Sequence, residues 1–134
     1  MIKFIAQSGQ PALVGKNLSI SYDQLLSRIH HFSSVLKKTH SQRIVIFSEN
    51  RPEWIYALYA AWKQGAAIVP IDVLSSREDV AYILHDCSPH VVFCSREKSE
   101  FIRLALKDAD KEPEVLVFEN IQQPDVVAIV MQLS

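Results

Sequence analysis

The sequence predicts an α/β fold: a Rossmann-like parallel sheet with helices on both faces, preceded by a short β-hairpin. Three observations carry that prediction. Ile44–Phe47 is a continuous run of β-branched and aromatic residues, the pattern of a strand buried on both faces of a parallel sheet. From Arg43 onward, short apolar runs alternate repeatedly with segments of helical periodicity. The connections between them are short, so each crossover has to fold its helix back onto the sheet.

Taken in order, Ala12-Leu-Val and Leu18-Ser-Ile flank Gly15-Lys16-Asn17 and read as two strands joined by a hairpin turn. Ser21 and Gln24 have the spacing of a capping box, in which the hydroxyl accepts from the Gln24 N–H while the Gln24 side chain reaches back. Behind that cap, Tyr22, Leu25, Leu26, Ile29, Phe32 and Leu36 recur at three- and four-residue steps on one helical face, and Lys37, Lys38 and His40 suit its negative end. After the Ile44–Phe47 strand, Asn50 is the expected N-cap of a second helix. Pro52 sits in its first turn, Glu53 completes a capping-box spacing, and Gly65 supplies a left-handed end. Its expected apolar face is Trp54, Ile55, Leu58, Ala61 and Trp62. A strand at Ala67–Ile71, a helix at Ser76–Asp86 and a strand at Val91–Cys94 follow. Ser95 opens a helix to about Lys107, Val115–Phe118 is the next strand, and Val126–Leu133 reads as a last one.

Composition limits the function classes. The chain has 134 residues, 49% hydrophobic and 22% charged, which predicts one folded domain over residues 1–134 with a substantial core. A net charge of −1 offers no electrostatic footprint for nucleic acid or an anionic membrane. No apolar run approaches the ~20 residues of a membrane span, and no secretory signal opens the chain, so a cytoplasmic location is expected. Cys87 and Cys94 match no zinc or redox spacing and read as free thiols.

In open α/β sheets, ligands collect at the carboxyl ends of the strands. Here that ledge carries Ser48, Glu49, Asn50, Arg51, Asp72, Ser95, Arg96, Glu119 and Asn120. The plainer reading makes Asn50 and Ser95 helix caps and the charged residues solvated loop positions. Nucleotide sites on such folds need a glycine-rich turn at a strand end, and Gly9, Gly15 and Gly65 provide none. His30 and His31 point about 100° apart on a helix and do not make a metal pair. His85 and His90 flank the turn at Cys87, and Cys87 with His85 would be a nucleophile only if the pair met in space with an orienting partner. Trp54, Tyr56, Tyr59 and Trp62 suggest a base-stacking platform but lack interleaved Arg and Lys, which favours helix packing. No metal-ligating or catalytic set emerges.

A family resemblance adds to this reading. Pro11-Ala-Leu-Val with Ile20-Ser-Tyr-Asp-Gln-Leu resembles the amino-terminal "pAl…tYaEL" segment of the AMP-forming adenylating enzymes, which include acyl-CoA synthetases, luciferases and peptide-synthetase adenylation domains. Arg43-Ile-Val-Ile-Phe-Ser-Glu-Asn-Arg-Pro-Glu-Trp is similar to their "rVai…N.pew". Gly65-Ala-Ala-Ile-Val-Pro-Ile-Asp is similar to "GavyvPld", and the stretch from Val80 to Phe93 to "l.yil.ds.pkvvf". Asp125–Ser134 resembles the strand that leads into the family's phosphate loop, T-S-G-T-T-G-x-P-K-G.

The resemblance implies that the chain is the amino-terminal part of a longer ligase domain, ending before that loop. The activity implied is ATP-dependent formation of an acyl-adenylate from a carboxylic acid, a fatty acid by expectation, and transfer of the acyl group to CoA. ATP, Mg²⁺ and CoA would serve the parent enzyme. The residues present would be inactive scaffold, with no catalytic or metal residue carried over and only Ser134 as a lip of the phosphate loop. A scaffold separated from its neighbours should expose apolar faces and self-associate. The contrasting readings are a flavodoxin-like or receiver-like binding module, and a non-catalytic partner-binding domain.

Overall fold

A computed structural model describes residues 11–15, 18–36 and 42–121. Strands β1 (Pro11–Gly15) and β2 (Leu18–Ser21) pair antiparallel as the hairpin. They are followed by α1 (Tyr22–Ser34), β3 (Arg43–Phe47), α2 (Pro52–Lys63), β4 (Ala67–Pro70), α3 (Arg77–Cys87), β5 (Val91–Cys94), α4 (Arg96–Ala105) and β6 (Glu114–Val117). Phe118–Asn120 forms a single 3₁₀ turn where the Val115–Phe118 strand was expected to end, so that strand starts and stops one residue earlier. The Val126–Leu133 strand and Lys37, Lys38 and His40 lie outside the described residues.

The main sheet is all-parallel with order β4-β3-β5-β6. The first crossover, through α2, steps to one side of β3. The chain then returns through α3 past β3 to β5 and continues outward through α4. This reversal creates a switch point between the carboxyl ends of β3 and β5, where side chains from distant loops converge.

Strand alternation divides the core in two. Ile44, Ile46, Val91 and Phe93 face α1 and α2, whereas Val45, Phe47, Val92 and Cys94 face α3 and α4. Both faces of β3 and β5 are therefore buried, as the unbroken apolar runs require. Phe32 joins α1 to the sheet, its ring centroid 5.5 Å from Tyr56, 5.9 Å from Phe93 and 6.0 Å from Phe118.

The helix ends show which local rules prevailed. The capping box at Ser21 forms in both directions, with Gln24 N donating to Ser21 Oγ (3.2 Å) and Ser21 N to Gln24 Oε1 (3.0 Å). Gly65 takes φ +72° after α2, while Ala66 N donates to the Ala61 carbonyl (3.1 Å) and Gly65 N to that of Trp62 (2.9 Å). This is a Schellman end that glycine reaches without strain. Asn50, by contrast, is not the N-cap of α2. Pro52 occupies the first turn and forces the residue before it into extended backbone, so Arg51 (φ −159°, ψ 161°) becomes the N-cap without a side-chain cap bond.

The face of α2 also differs from expectation. Tyr56, Ala57, Ala60 and Ala61 are buried, Trp54, Ile55 and Leu58 are half-buried, and Trp62 is 48% exposed. The alanines let the helix backbone approach the sheet and α1, which turns Trp62 outward against the ring of Tyr59.

Candidate functional site

The ledge at the switch point is an interlocked charge network centred on Arg51. Its Nε donates to Glu53 Oε2 (2.7 Å), and its Nη1 lies 3.2 Å from Glu119 Oε2 and 3.4 Å from Glu49 Oε1. The guanidinium sits 5.7 Å from the centroid of the Phe118 ring, close enough for a cation–π contact. Ser95 Oγ donates to Glu49 Oε2 (2.9 Å), and Arg96 N donates to Glu119 Oε1 (2.9 Å). Arg96 Nη2 donates to Asn120 Oδ1 (2.9 Å).

Ser95 is thus the N-cap of α4 by position but spends its hydroxyl on Glu49. The carboxylate of Glu119 satisfies the first free N–H of α4 instead, a favourable place for negative charge at the positive end of a helix dipole.

Electrostatics follow the geometry. Burial works against the charged forms of Glu49 and Glu119. The hydrogen bonds to their carboxylates, from backbone N–H groups, from Ser95 in the case of Glu49 and from Arg51 for both, outweigh it and hold both below the usual carboxylate value. Arg51 is held more firmly protonated than usual, first by its hydrogen bond to Glu53 and then by Glu119.

The expected ledge residues divide between this network and other roles. Ser48 Oγ donates to the Glu49 carbonyl, Asn50 is exposed, and Asp72 turns its carboxylate onto its own loop by accepting from Leu74 N (2.9 Å). Beside them a cavity of about 430 Å³ opens between the loops after β3 and β4, with Trp54 and Leu74 on its walls.

This arrangement does not fit an ATP phosphate or its magnesium. Arg51 is surrounded by three carboxylates, the first N–H of α4 is occupied by Glu119, and α2 begins with Pro52, which has no N–H to offer. Among the described residues no group of three or more His, Cys, Asp and Glu side chains is placed to hold a metal ion. Ser134 lies outside the described residues.

The remaining sequence candidates have structural uses. His90 Nδ1 accepts from Arg43 N (3.0 Å), while Arg43 Nε and Nη2 reach the carbonyls of Cys87 and Ser88. These contacts tie the amino end of β3 to the turn after α3, on the wall of a concavity of about 940 Å³ opposite the ledge. Burial raises the pKa of the Cys87 thiol and takes that of Cys94 to about 11, the reverse of an activated nucleophile. His30 Nδ1 meets Lys63 Nζ at 3.4 Å on the surface. Glu53 as an Arg51 partner and Phe118 as the ring beneath it escaped the sequence reading. Arg51 and Glu119 are 68 residues apart, and no local pattern links them.

These features define a doubly wound α/β unit whose strand-end ledge is closed by its own side chains. The chain belongs to the AMP-binding enzyme family, whose model matches residues 5–133. It is similar to the 3-hydroxybenzoate–CoA ligase of Aromatoleum sp. (strain CIB), 23% identical over 111 residues, covering 81% of this chain and 21% of the relative. It is also similar to the long-chain-fatty-acid–CoA ligase 5 of Rattus norvegicus, 27% identical over 99 residues, covering 70% of this chain and 14% of the relative. Among solved structures, a benzoate CoA ligase from Burkholderia xenovorans LB400 shares the fold at a TM-score of 0.75 and 22% identity, over 86% of this chain and 25% of that one. The chain spans about a fifth of the first of these relatives and a quarter of the last. No described helix is long and apolar enough to cross a membrane.

Proposed function

We propose that residues 1–134 are the amino-terminal scaffold of an ATP-dependent, AMP-forming acid–thiol ligase. The whole protein would activate a carboxylic acid as its acyl-adenylate and pass the acyl group to CoA. The observation that carries this reading is the family match over residues 5–133. The four stretches of resemblance between Pro11 and Phe93, in the same order and spacing, support it. Negative charge develops on phosphate oxygens in the adenylation step and needs donors or cations aimed at it. The ledge of this chain is already satisfied, so the cradle is assigned to residues past Ser134, with Ser134 at its lip. Mg²⁺ belongs with that cradle, and the location proposed is the cytoplasm.

A fatty acid is the acyl group expected from the resemblance, and the relative named for long-chain fatty acids accords with it. The relative named for 3-hydroxybenzoate makes aryl acids the first comparison to run, with amino acids as a third set. The test is ATP–pyrophosphate exchange by the product of the complete natural gene against fatty, aryl and amino acids, with residues 1–134 assayed in parallel. Exchange by the complete product and none by residues 1–134 is the expected pair of results. Exchange by residues 1–134 alone would refute the scaffold assignment, and a complete product inert toward every acid would refute the ligase.

A further inference from the structure

We propose that the concavity at the amino end of the sheet is a binding site for a small zwitterion with an apolar body, of the class of a short apolar peptide with free termini. The inference is independent of the ligase reading and uses nothing of the ledge. The concavity, about 940 Å³, lies between the turn after α3 and the segment that joins α4 to β6. That volume is in the range of pockets that take small ligands.

Its charges are divided by element. Arg43, His85 and His90 line it from the start of β3, the last turn of α3 and the residue before β5. Asp110, Glu112 and Glu114 line it from the segment after α4 and the start of β6, with Lys111 among them. No salt bridge among the described residues joins the two groups. Leu84, Val91 and Leu106 supply apolar lining.

Two donors of the first group are fixed by the fold. Arg43 N donates to His90 Nδ1 (3.0 Å), and because a backbone N–H can only donate, neutral His90 carries its proton on Nε2. The Arg43 guanidinium is anchored through Nε and Nη2 to the carbonyls of Cys87 and Ser88, and its Nη1 has no partner among the described residues. Each side chain thus keeps an N–H that the fold does not use, of the kind that holds a carboxylate. An acceptor is also left over. Gln42 lines the same concavity at 6% exposure, and its Oε1 is buried without a hydrogen-bond partner. Such an atom is destabilising, and folded proteins rarely retain one without a use.

These groups select the ligand. An anion alone would meet Asp110, Glu112 and Glu114, and a cation alone would meet Arg43 and Lys111. A ligand carrying both signs on an apolar body matches the whole lining. A dipeptide of apolar residues has a carboxylate for Arg43 and His90, an ammonium for the acidic group, and an amide N–H of the type that Gln42 Oε1 lacks.

The experiment is calorimetric titration of the complete natural protein with leucyl-leucine, N-acetyl-leucyl-leucine and leucyl-leucinamide, repeated with leucyl-leucine on His90→Asn and Gln42→Leu. The asparagine variant keeps an acceptor for Arg43 N and removes the Nε2 donor, so its Tm should stay near that of wild type. Saturable binding of leucyl-leucine is expected, about tenfold weaker for each blocked peptide and for each variant, as the loss of one hydrogen bond to a charged or buried group implies. No saturable binding of leucyl-leucine overturns the proposal, as does either blocked peptide binding as tightly as the free one. Wild-type affinity in both variants also overturns it, because the peptide would then sit elsewhere. If a variant does not fold, the other variant and the blocked peptides decide. A protein that binds as expected but lacks exchange activity removes the ligase reading alone, whereas an active protein that does not bind leucyl-leucine removes this inference alone.

Discussion

Gly65→Ala isolates a single backbone term. Gly65 has φ +72°, and a Cβ built on it would meet no heavy atom within 4 Å. The substitution therefore creates no clash, and its cost is conformational. Placing an L-residue in the left-handed region costs roughly 1–2 kcal/mol. Stiffening the unfolded chain by replacing glycine returns about 0.4–1 kcal/mol. The net loss is about 1 kcal/mol, which for a domain of this size lowers Tm by about 4 °C. Gly65→Asn should lose less, because its short polar side chain tolerates the same region. Urea unfolding followed by circular dichroism would read these as shifts in midpoint at unchanged slope. An alanine variant as stable as wild type would mean that α2 does not end through a left-handed residue. A loss above about 3 kcal/mol would mean that the space around Gly65 is filled, since backbone strain alone does not reach that value.

Other expectations follow from the same geometry. Ser21→Ala removes the hydroxyl that accepts from Gln24 N and should cost about 1 kcal/mol, read as a lower urea midpoint; no change would place the start of α1 elsewhere. Glu49 and Glu119 titrate below their usual value of 4.5 in the folded state, so the unfolded chain takes up protons first as pH falls. Their contribution is complete above that value and is lost as pH drops through their folded pKa values. Glu119→Gln should therefore flatten the acid limb of a plot of Tm against pH, and an unaltered limb would count against the Glu119 bonds. Cys94 is buried with its pKa at about 11, so a thiol reagent at neutral pH should label Cys87 slowly and Cys94 only after unfolding. Rapid native labelling of Cys94 would contradict its place in the core. Leu74, Tyr82, Trp62 and Leu104 are exposed apolar side chains, and residues 1–134 alone should self-associate with rising concentration in sedimentation velocity; a monomer at all concentrations would refute this.

What could be read from the order of residues was local in origin. The unbroken apolar runs at Ile44–Phe47 and Val91–Cys94 announce strands buried on both faces, because only a sheet covered twice tolerates them. Ser21 with Gln24, and Gly65 at the end of α2, are short-range devices whose partners lie within five residues, so their bonds were legible in advance. Family membership was legible too, since motif order survives in the sequence even where identity is low. Asn50 shows where local reading failed: two cap rules competed, and the restriction that Pro52 places on Arg51 decided between them.

The strand-end ledge was legible as a list of residues and not as a mechanism. Which of its members meet is a question of strand order, and the β4-β3-β5-β6 arrangement is what carries Glu119 to Arg51 across 68 residues. The same arrangement decided that Tyr56 and the alanines of α2 form its most buried face while Trp62 turns outward, because close approach to the sheet and α1 rewards small side chains around one ring. The sequence by itself determined the family and, among the described residues, the strands and helices. Only the tertiary structure decided that the ledge is closed by Arg51 and its carboxylates, because distant charges find one another through the packing of the sheet and not through proximity in the chain.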